Sequence, residues 1–297
     1  MAKNVGLAQG MLLFHLNQKQ TFAIGTLKIR ELVAMLKLTS LPQSHPNVLG
    51  SATIRGSTIP VIDMAAAIGF TPLTKEEMAG CHIIVTDCQR MTVGFAVRTI
   101  DRIINCNWRD ISSPPKNLGP GAFLTGVTRF EDKLVQLLDF ELLLSTIYPE
   151  APVQGLQIDS EQRKLLQGLN ILLVDDSLVA RRQLSEALNS ISIPYRVTTN
   201  GREALDIMLE QAASNNRINI LVSDIEMPGL DGYELAFEVK NNSAIAPAYI
   251  ILHTSLSSQI SVGQAHQVGA NEALTKFDAE ELIEAMLRGA EQQASLG

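Results

Sequence analysis

The sequence predicts two folded domains, a β-rich first half and a doubly wound α/β second half. Three observations carry this. Residues 1–150 hold many short runs of β-branched and large apolar residues with turn residues between them. Residues 169–297 alternate apolar runs of strand length with helical stretches that begin at capping residues. The charge changes as well: 14 Lys/Arg against 12 Asp/Glu in residues 1–150, then 10 against 19 in residues 151–297. At 297 residues, 46% hydrophobic and 19% charged, the chain has enough apolar material for a core in each half and does not have the composition of a disordered one.

In the first half, strand-like runs occupy 11–16, 21–25, 47–55, 58–62, 81–87, 91–97, 100–106, 123–130 and 133–139. Turn-type residues separate them, as in Asn17-Gln18-Lys19, Arg55-Gly56-Ser57 and Glu131-Asp132-Lys133. Many short strands on short connections predict small barrels or a sandwich. Residues 139–147 have helical periodicity and close the domain. Residues 151–168, with Pro152, Gly155 and a polar stretch from Asp159 to Lys164, read as a linker with room for a helical turn or more.

In the second half, Ser177 caps a helix running to about Ser190, Asn200 one to about Ala213, and Asp231 one ending near Asn241. A fourth helix covers about 258–268 and stops at Gly269, a common residue just past a helix end. Asp278 with Glu281 three residues on forms a capping box for the last. Five β-α units of this spacing, with strands too apolar for one-sided exposure, make a parallel sheet covered on both faces.

Polar groups stand at the ends of the apolar runs. Asp175-Asp176 follow Ile171 to Val174, Asp224 follows Ile218 to Ser223, Thr254 follows Tyr249 to His253, and Lys276 follows Ala273 to Thr275. Ligands of open α/β sheets bind at the carboxyl ends of the strands. Three carboxylates, a hydroxyl and an ammonium converging there describe a phosphoryl-transfer pocket. Crowded carboxylates repel, and a divalent cation such as Mg²⁺, which takes hard oxygen ligands, resolves the repulsion. A carboxylate can itself accept the phosphoryl group. Each acid taken alone could equally be a helix cap; the four elements in this order after four strands are what point to chemistry.

These residues carry a resemblance. LLVDDS at 172–177, SDIEMPGLDGYEL at 223–235, HTS at 253–255 and the strand before Lys276 are similar to the receiver domain of two-component response regulators, over about residues 168–292. The resemblance implies a (βα)5 fold with Asp224 as phosphoacceptor. It implies Asp176 as a direct Mg²⁺ ligand, Asp175 as a ligand directly or through water, and the Glu226 backbone carbonyl as the remaining protein ligand. Thr254 would be the switch hydroxyl and Lys276 the cation on the phosphoryl group. Two positions depart from the pattern. Ala273 stands where the family usually has Tyr or Phe, and Phe277 where a proline usually follows the lysine. The usual hydroxyl–aromatic relay is therefore missing while the phosphorylation chemistry is complete.

The first half carries a second resemblance. Phe22-Ala23-Ile24-Gly25 leading to Ile29-Arg30-Glu31-Leu32, Val48-Leu49-Gly50 to Ile54-Arg55-Gly56, and Ile59-Pro60-Val61-Ile62-Asp63-Met64 are similar to the CheW coupling domain of bacterial chemotaxis. Leu124 to Val127 and Lys133 to Val135 continue it, so that it spans about residues 8–147 of the domain 1–150, with Thr53-Ile54 in place of the usual Asn-Leu. It implies two small five-stranded barrels that dock onto chemoreceptor cytoplasmic tips and the chemotaxis histidine kinase. Glu31 and Arg55 are the candidates for partner contact, or they pair with each other or with local backbone. Asp63 is a helix cap.

Together the two resemblances imply a CheV-type chemotaxis coupling protein: a scaffold, not a classical enzyme, tuned by phosphorylation of Asp224. A phosphate sink draining the kinase is the alternative within the same chemistry. A haloacid dehalogenase-type phosphatase needs Asp-x-Asp after its first strand, where this chain has adjacent aspartates followed by Ser177. An acidic second half without a basic stripe argues against nucleic acid. No apolar run approaches the roughly eighteen residues that span a bilayer, so the expected place is the cytoplasm, at membrane-associated receptor arrays without direct membrane insertion. Cys81, Cys88 and Cys106 read as small buried apolar residues, His15 and His253 as packed or hydrogen-bonded structural groups, and Trp108 as a core or barrel-edge anchor.

Overall fold

The computed structural model describes residues 8–88, 91–107, 110–114, 122–149, 156–254, 259–275 and 278–295. The chain divides into two compact units, Met1–Pro149 and Glu150–Gly297.

The first unit contains β1 (Ala8–His15), β2 (Thr21–Gly25), a single 3-10 turn (Thr26–Lys28), β3 (Ile29–Ala34), β4 (Val48–Ile54), β5 (Ser57–Asp63), α1 (Met64–Ala67) and α2 (Lys75–Met78). There follow β6 (His82–Cys88), β7 (Met91–Val97), β8 (Thr99–Asn107), β9 (Leu124–Phe130), β10 (Lys133–Leu138) and α3 (Phe140–Ile147). The strands form two five-stranded sheets, β8-β1-β2-β10-β9 and β3-β6-β7-β5-β4. One core joins them: Leu12, Phe14 and Phe22 of the first sheet pack with Ile62, Ile84 and Phe95 of the second and with Phe140 and Leu143 of α3. Phe95 and Phe140 meet edge to face at 4.8 Å between ring centroids, a favoured aromatic geometry. Asp139 caps α3 through the Leu142 N–H, and Asp63 caps α1 through the Ala66 N–H while also accepting from the Leu73 N–H at 2.7 Å. Cys81, Cys88 and Cys106 are buried free thiols.

One strand, β3, has no counterpart among the runs read from sequence. Arg30 and Glu31 interrupt its apolar residues, and its side chains alternate between half-buried and exposed. It lies at a sheet edge and pairs antiparallel with β6 alone. Pairing with β6, rather than a continuous apolar run, holds it as a strand.

The second unit contains α4 (Ser160–Gln167), β11 (Ile171–Val174), α5 (Leu178–Ser190), β12 (Arg196–Thr198), α6 (Gly201–Ala213), β13 (Ile220–Asp224) and α7 (Gly232–Lys240). It ends with β14 (Tyr249–Thr254), α8 (Gln259–Gln267), β15 (Glu272–Thr275) and α9 (Ala279–Ser295). The sheet runs β12-β11-β13-β14-β15 and every pairing in it is parallel. β11 and β13 are buried along their whole length. One apolar cluster gathers Leu172, Val174, Leu221 and Leu252 with residues of α6 and α7 on one face; another gathers Leu173, Val222 and Ile251 with residues of α5 and α9 on the other. This is why these strands read as continuous apolar runs. Ser177, Asn200, Asp231 and Asp278 each accept a backbone N–H three residues on, as helix caps do. α4, inside the stretch read as linker, is capped by Asp159 in a capping box, and its Leu166 is fully buried in the same core as α5 and α9.

Candidate functional site

The sheet order places a crossover between β11 and β13, because the chain leaves β11 to one side for β12 and returns on the other. At such a point the loops leaving adjacent strands diverge and open a crevice. Val174 pairs with Ser223, and Asp224 pairs with His253. Asp175 follows Val174 directly, so Asp175, Asp224 and His253 fall on one row across β11, β13 and β14. One donor atom from each lies within 4.8 Å of the others. All three are buried, at 0%, 2% and 4% exposure.

Backbone contacts hold the row in place. Asp175 Oδ1 accepts from the Ser177 N–H at 2.7 Å, and the Asp175 carbonyl accepts from Arg181 Nη1 on α5 at 2.8 Å. Asp224 Oδ1 accepts from the Ile225 N–H at 2.8 Å, and the His253 carbonyl accepts from the same N–H at 3.1 Å. His253 Nε2 stands 3.7 Å from Asp175 Oδ2. The loop after Asp224 folds tightly back on it: Gly232 N–H donates to the Ile225 carbonyl at 3.0 Å, and a Cβ on Gly232 would lie 2.1 Å from the Asp224 carbonyl oxygen. Only glycine permits that approach of α7 to the end of β13.

Two of the other expected residues stand in the loops that follow β11 and β13. Asp176 is half-buried in the bend between β11 and α5. Glu226 is buried in the loop after β13. Neither belongs to the three-donor cluster. Thr254 ends β14 and pairs with Thr275, but its side chain lies outside what the structure describes. Lys276, Phe277 and Trp108 lie outside the described residues. Ala273 pairs with Leu252 and packs against the core on the α6–α7 face. His253 is the member of the row that sequence reasoning assigned only a structural part. Its signal was the register: it is the strand residue level with Asp224.

Two buried carboxylates beside an imidazole form a cluster whose negative charge must be offset, by a protonated ring or by a cation. Hard oxygen donors at this spacing fit a divalent ion, and a strand-end aspartate in such a pocket is a chemically competent phosphoryl acceptor.

In the first unit, Arg55 Nε donates to Glu31 Oε2 at 2.9 Å, with the Arg55 side chain 79% exposed and that of Glu31 14%. The two candidate contact residues thus pair across β3 and the β4–β5 turn. Arg55 and Gly56 both have positive φ, at 48° and 83°, between the paired residues Ile54 and Ser57. That is the primed two-residue hairpin turn.

Residues 10–147 match the CheW-like domain family and residues 171–287 the response regulator receiver domain family. Over nearly the whole chain the sequence is similar to chemotaxis proteins of Helicobacter pylori. It is 28% identical to CheV3 over 272 residues, 89% of this chain and 86% of that one, and 26% identical to CheV2 over 281 residues, 89% and 88%. The second half is 32% identical to Protein PilG of Pseudomonas aeruginosa over 120 residues, 40% of this chain and 85% of PilG. The chain belongs to the CheV type of chemotaxis protein, a CheW-like domain followed by a response regulator receiver domain.

Proposed function

We propose that this chain is a chemotaxis scaffold that couples chemoreceptor cytoplasmic tips to the chemotaxis histidine kinase, and that phosphorylation of Asp224 modulates the coupling. The observation that carries this is the buried Asp175–Asp224 pair at the crossover of a receiver sheet, in a chain whose other half is a CheW-like domain. The kinase's phosphohistidine is the donor: its N–P bond breaks, an Asp224 carboxylate oxygen forms the new O–P bond, and the imidazole leaves. Thr254 and Lys276 contact the transferred phosphoryl oxygens by hydrogen bond and charge. Asp175, Asp176, Asp224 and the Glu226 carbonyl hold Mg²⁺, which when bound neutralises carboxylate and phosphoryl charge. Arg181 positions the Asp175 backbone and the Ile225 N–H orients the Asp224 carboxylate.

Glu31 and Arg55 form the partner-contacting patch of the coupling half. Most of the Arg55 side chain is exposed while its Nε is held by Glu31, so the guanidinium is oriented toward solvent with donors available to a partner carboxylate. The protein works at receptor arrays on the cytoplasmic side of the membrane; among the described residues no helix is long and apolar enough to cross it. The chain is a substrate and regulator of the kinase rather than a classical enzyme.

Incubation of the full chain with acetyl phosphate and Mg²⁺, followed by intact mass measurement, tests the chemistry. Wild type gains one phosphoryl group and Asp224→Asn gains none. Equal labelling of the two proteins would rule Asp224 out as the acceptor. The phosphate-sink reading draws on Ala273, since no aromatic there relays the Thr254 state outward. It requires that coupling be the same with phosphorylated and unphosphorylated protein.

A further inference from the structure

We infer that His253 is a nitrogen donor to the divalent ion of this pocket, and that it shifts the site's preference from Mg²⁺ toward ions that accept imidazole, of the Mn²⁺ and Co²⁺ class. The inference rests on the pocket being a divalent-cation site and adds the identity of a ligand and the class of metal.

The spacing of the three donors fits a shared ion. The His253 Nε2 to Asp175 Oδ2 separation of 3.7 Å is an ion-pair distance, longer than a hydrogen bond. It lies within the range for two donors of one ion: with metal–donor bonds of about 2.1 Å, neighbouring donors stand about 3 Å apart and opposite ones about 4.2 Å. The mutual 4.8 Å limit on Asp175, Asp224 and His253 is close to that range, so a small side-chain adjustment brings all three onto one ion. The backbone that carries the imidazole is also fixed. It belongs to a central strand, level in register with Asp224, and its own carbonyl is bound by the N–H of the residue after Asp224.

Chemistry then selects the metal. Mg²⁺ takes oxygen ligands and keeps its waters; imidazole suits the first-row transition ions. A pocket that adds one imidazole to its oxygen donors therefore gains nothing from its nitrogen with Mg²⁺ and gains a bond with Mn²⁺ or Co²⁺. The same row with an aliphatic residue at 253 would offer oxygen donors alone.

The test uses the full chain without a phosphoryl donor. Calorimetric titrations with MgCl₂ and CoCl₂ are run on wild type, His253→Gln and His253→Leu. We expect both substitutions to weaken Co²⁺ binding by about tenfold or more, the scale on which metal-site residues act, and to change Mg²⁺ binding by less than about threefold. Pulsed EPR of the Mn²⁺-loaded wild type supplies a readout that needs no variant: imidazole ¹⁴N coupling is expected. Absence of that coupling, or equal weakening of Co²⁺ and Mg²⁺, overturns the inference and leaves the oxygen-ligated pocket standing. Failure of the wild type to bind either ion removes the cation site itself, and the inference with it.

Discussion

At the residue scale, Arg55 carries a local conformational cost that its proposed partner contact would account for. A side chain other than Gly, Asn or Asp at positive φ is disfavoured by about 1–2 kcal/mol, and the primed hairpin turn prefers Asn-Gly at these two positions. Here Arg occupies the first position and Gly56 the second. The Arg55–Glu31 contact, with Arg55 largely exposed, returns about 1 kcal/mol or less. Arg55→Asn is therefore expected to leave the urea midpoint of the first unit unchanged or slightly raised, while coupling in receptor–kinase assemblies falls. A clear loss of stability would instead make Arg55 a structural residue. The acids of the second unit were readable because each stands at the end of an apolar run. His253 was not, because its part depends on which residue of β13 it faces, and register between parallel strands is invisible to a pattern read one strand at a time.

At the element scale, α4 and β15 each depend on contacts made far along the chain. α4 follows a polar, proline-containing stretch, and its helix signal is one capping box. What makes it part of the receiver unit is burial of Leu166 among residues of α5 and α9. Leu166→Ala is expected to destabilise the second unit by about 2–5 kcal/mol in denaturant titration, the range for a fully buried leucine. A change below about 1 kcal/mol would mean that α4 is a tethered linker. β15 is tied to α9 by Glu272, which accepts from Arg288 Nε and Nη2 at 2.9 and 2.6 Å and from the Tyr249 hydroxyl at 2.6 Å. The Arg288 hydrogen bonds hold the Glu272 carboxyl below its ordinary value of 4.5, against an opposing effect of burial. The unfolded chain then takes up the proton first, so the stabilisation is full above pH 4.5 and is lost as pH falls through the lower folded value. Glu272→Gln is expected to lower stability at pH 7 by up to about 1 kcal/mol, since Arg288 is half exposed. It should also flatten the acid decline below pH 4.5; an unchanged decline would show that other carboxylates govern it. The edge strand β3, like α4, escaped the sequence pattern because long-range pairing holds it rather than local periodicity.

At the scale of the whole molecule, the chain joins two kinds of chemistry. Its first half has nearly balanced charge and offers an exposed arginine on a constrained turn. Its second half carries the net negative charge and buries two carboxylates and an imidazole at a sheet crossover. The fold class of both halves was legible, since strand-length runs, caps and turn residues agree locally with the final topology. How Asp224 reports outward was not legible. Ala273 packs into the core where the familiar aromatic would stand, so any signal must leave through other contacts. The claim that joins the halves is that phosphorylation of Asp224 changes coupling. The most direct measurement is kinase autophosphorylation in reconstituted receptor assemblies containing this chain, with and without acetyl phosphate, for wild type and Asp224→Ala. Acetyl phosphate is expected to change receptor-controlled kinase output with wild type and to leave it unchanged with Asp224→Ala. Identical output from wild type under both conditions, with phosphorylation of Asp224 verified, would contradict it.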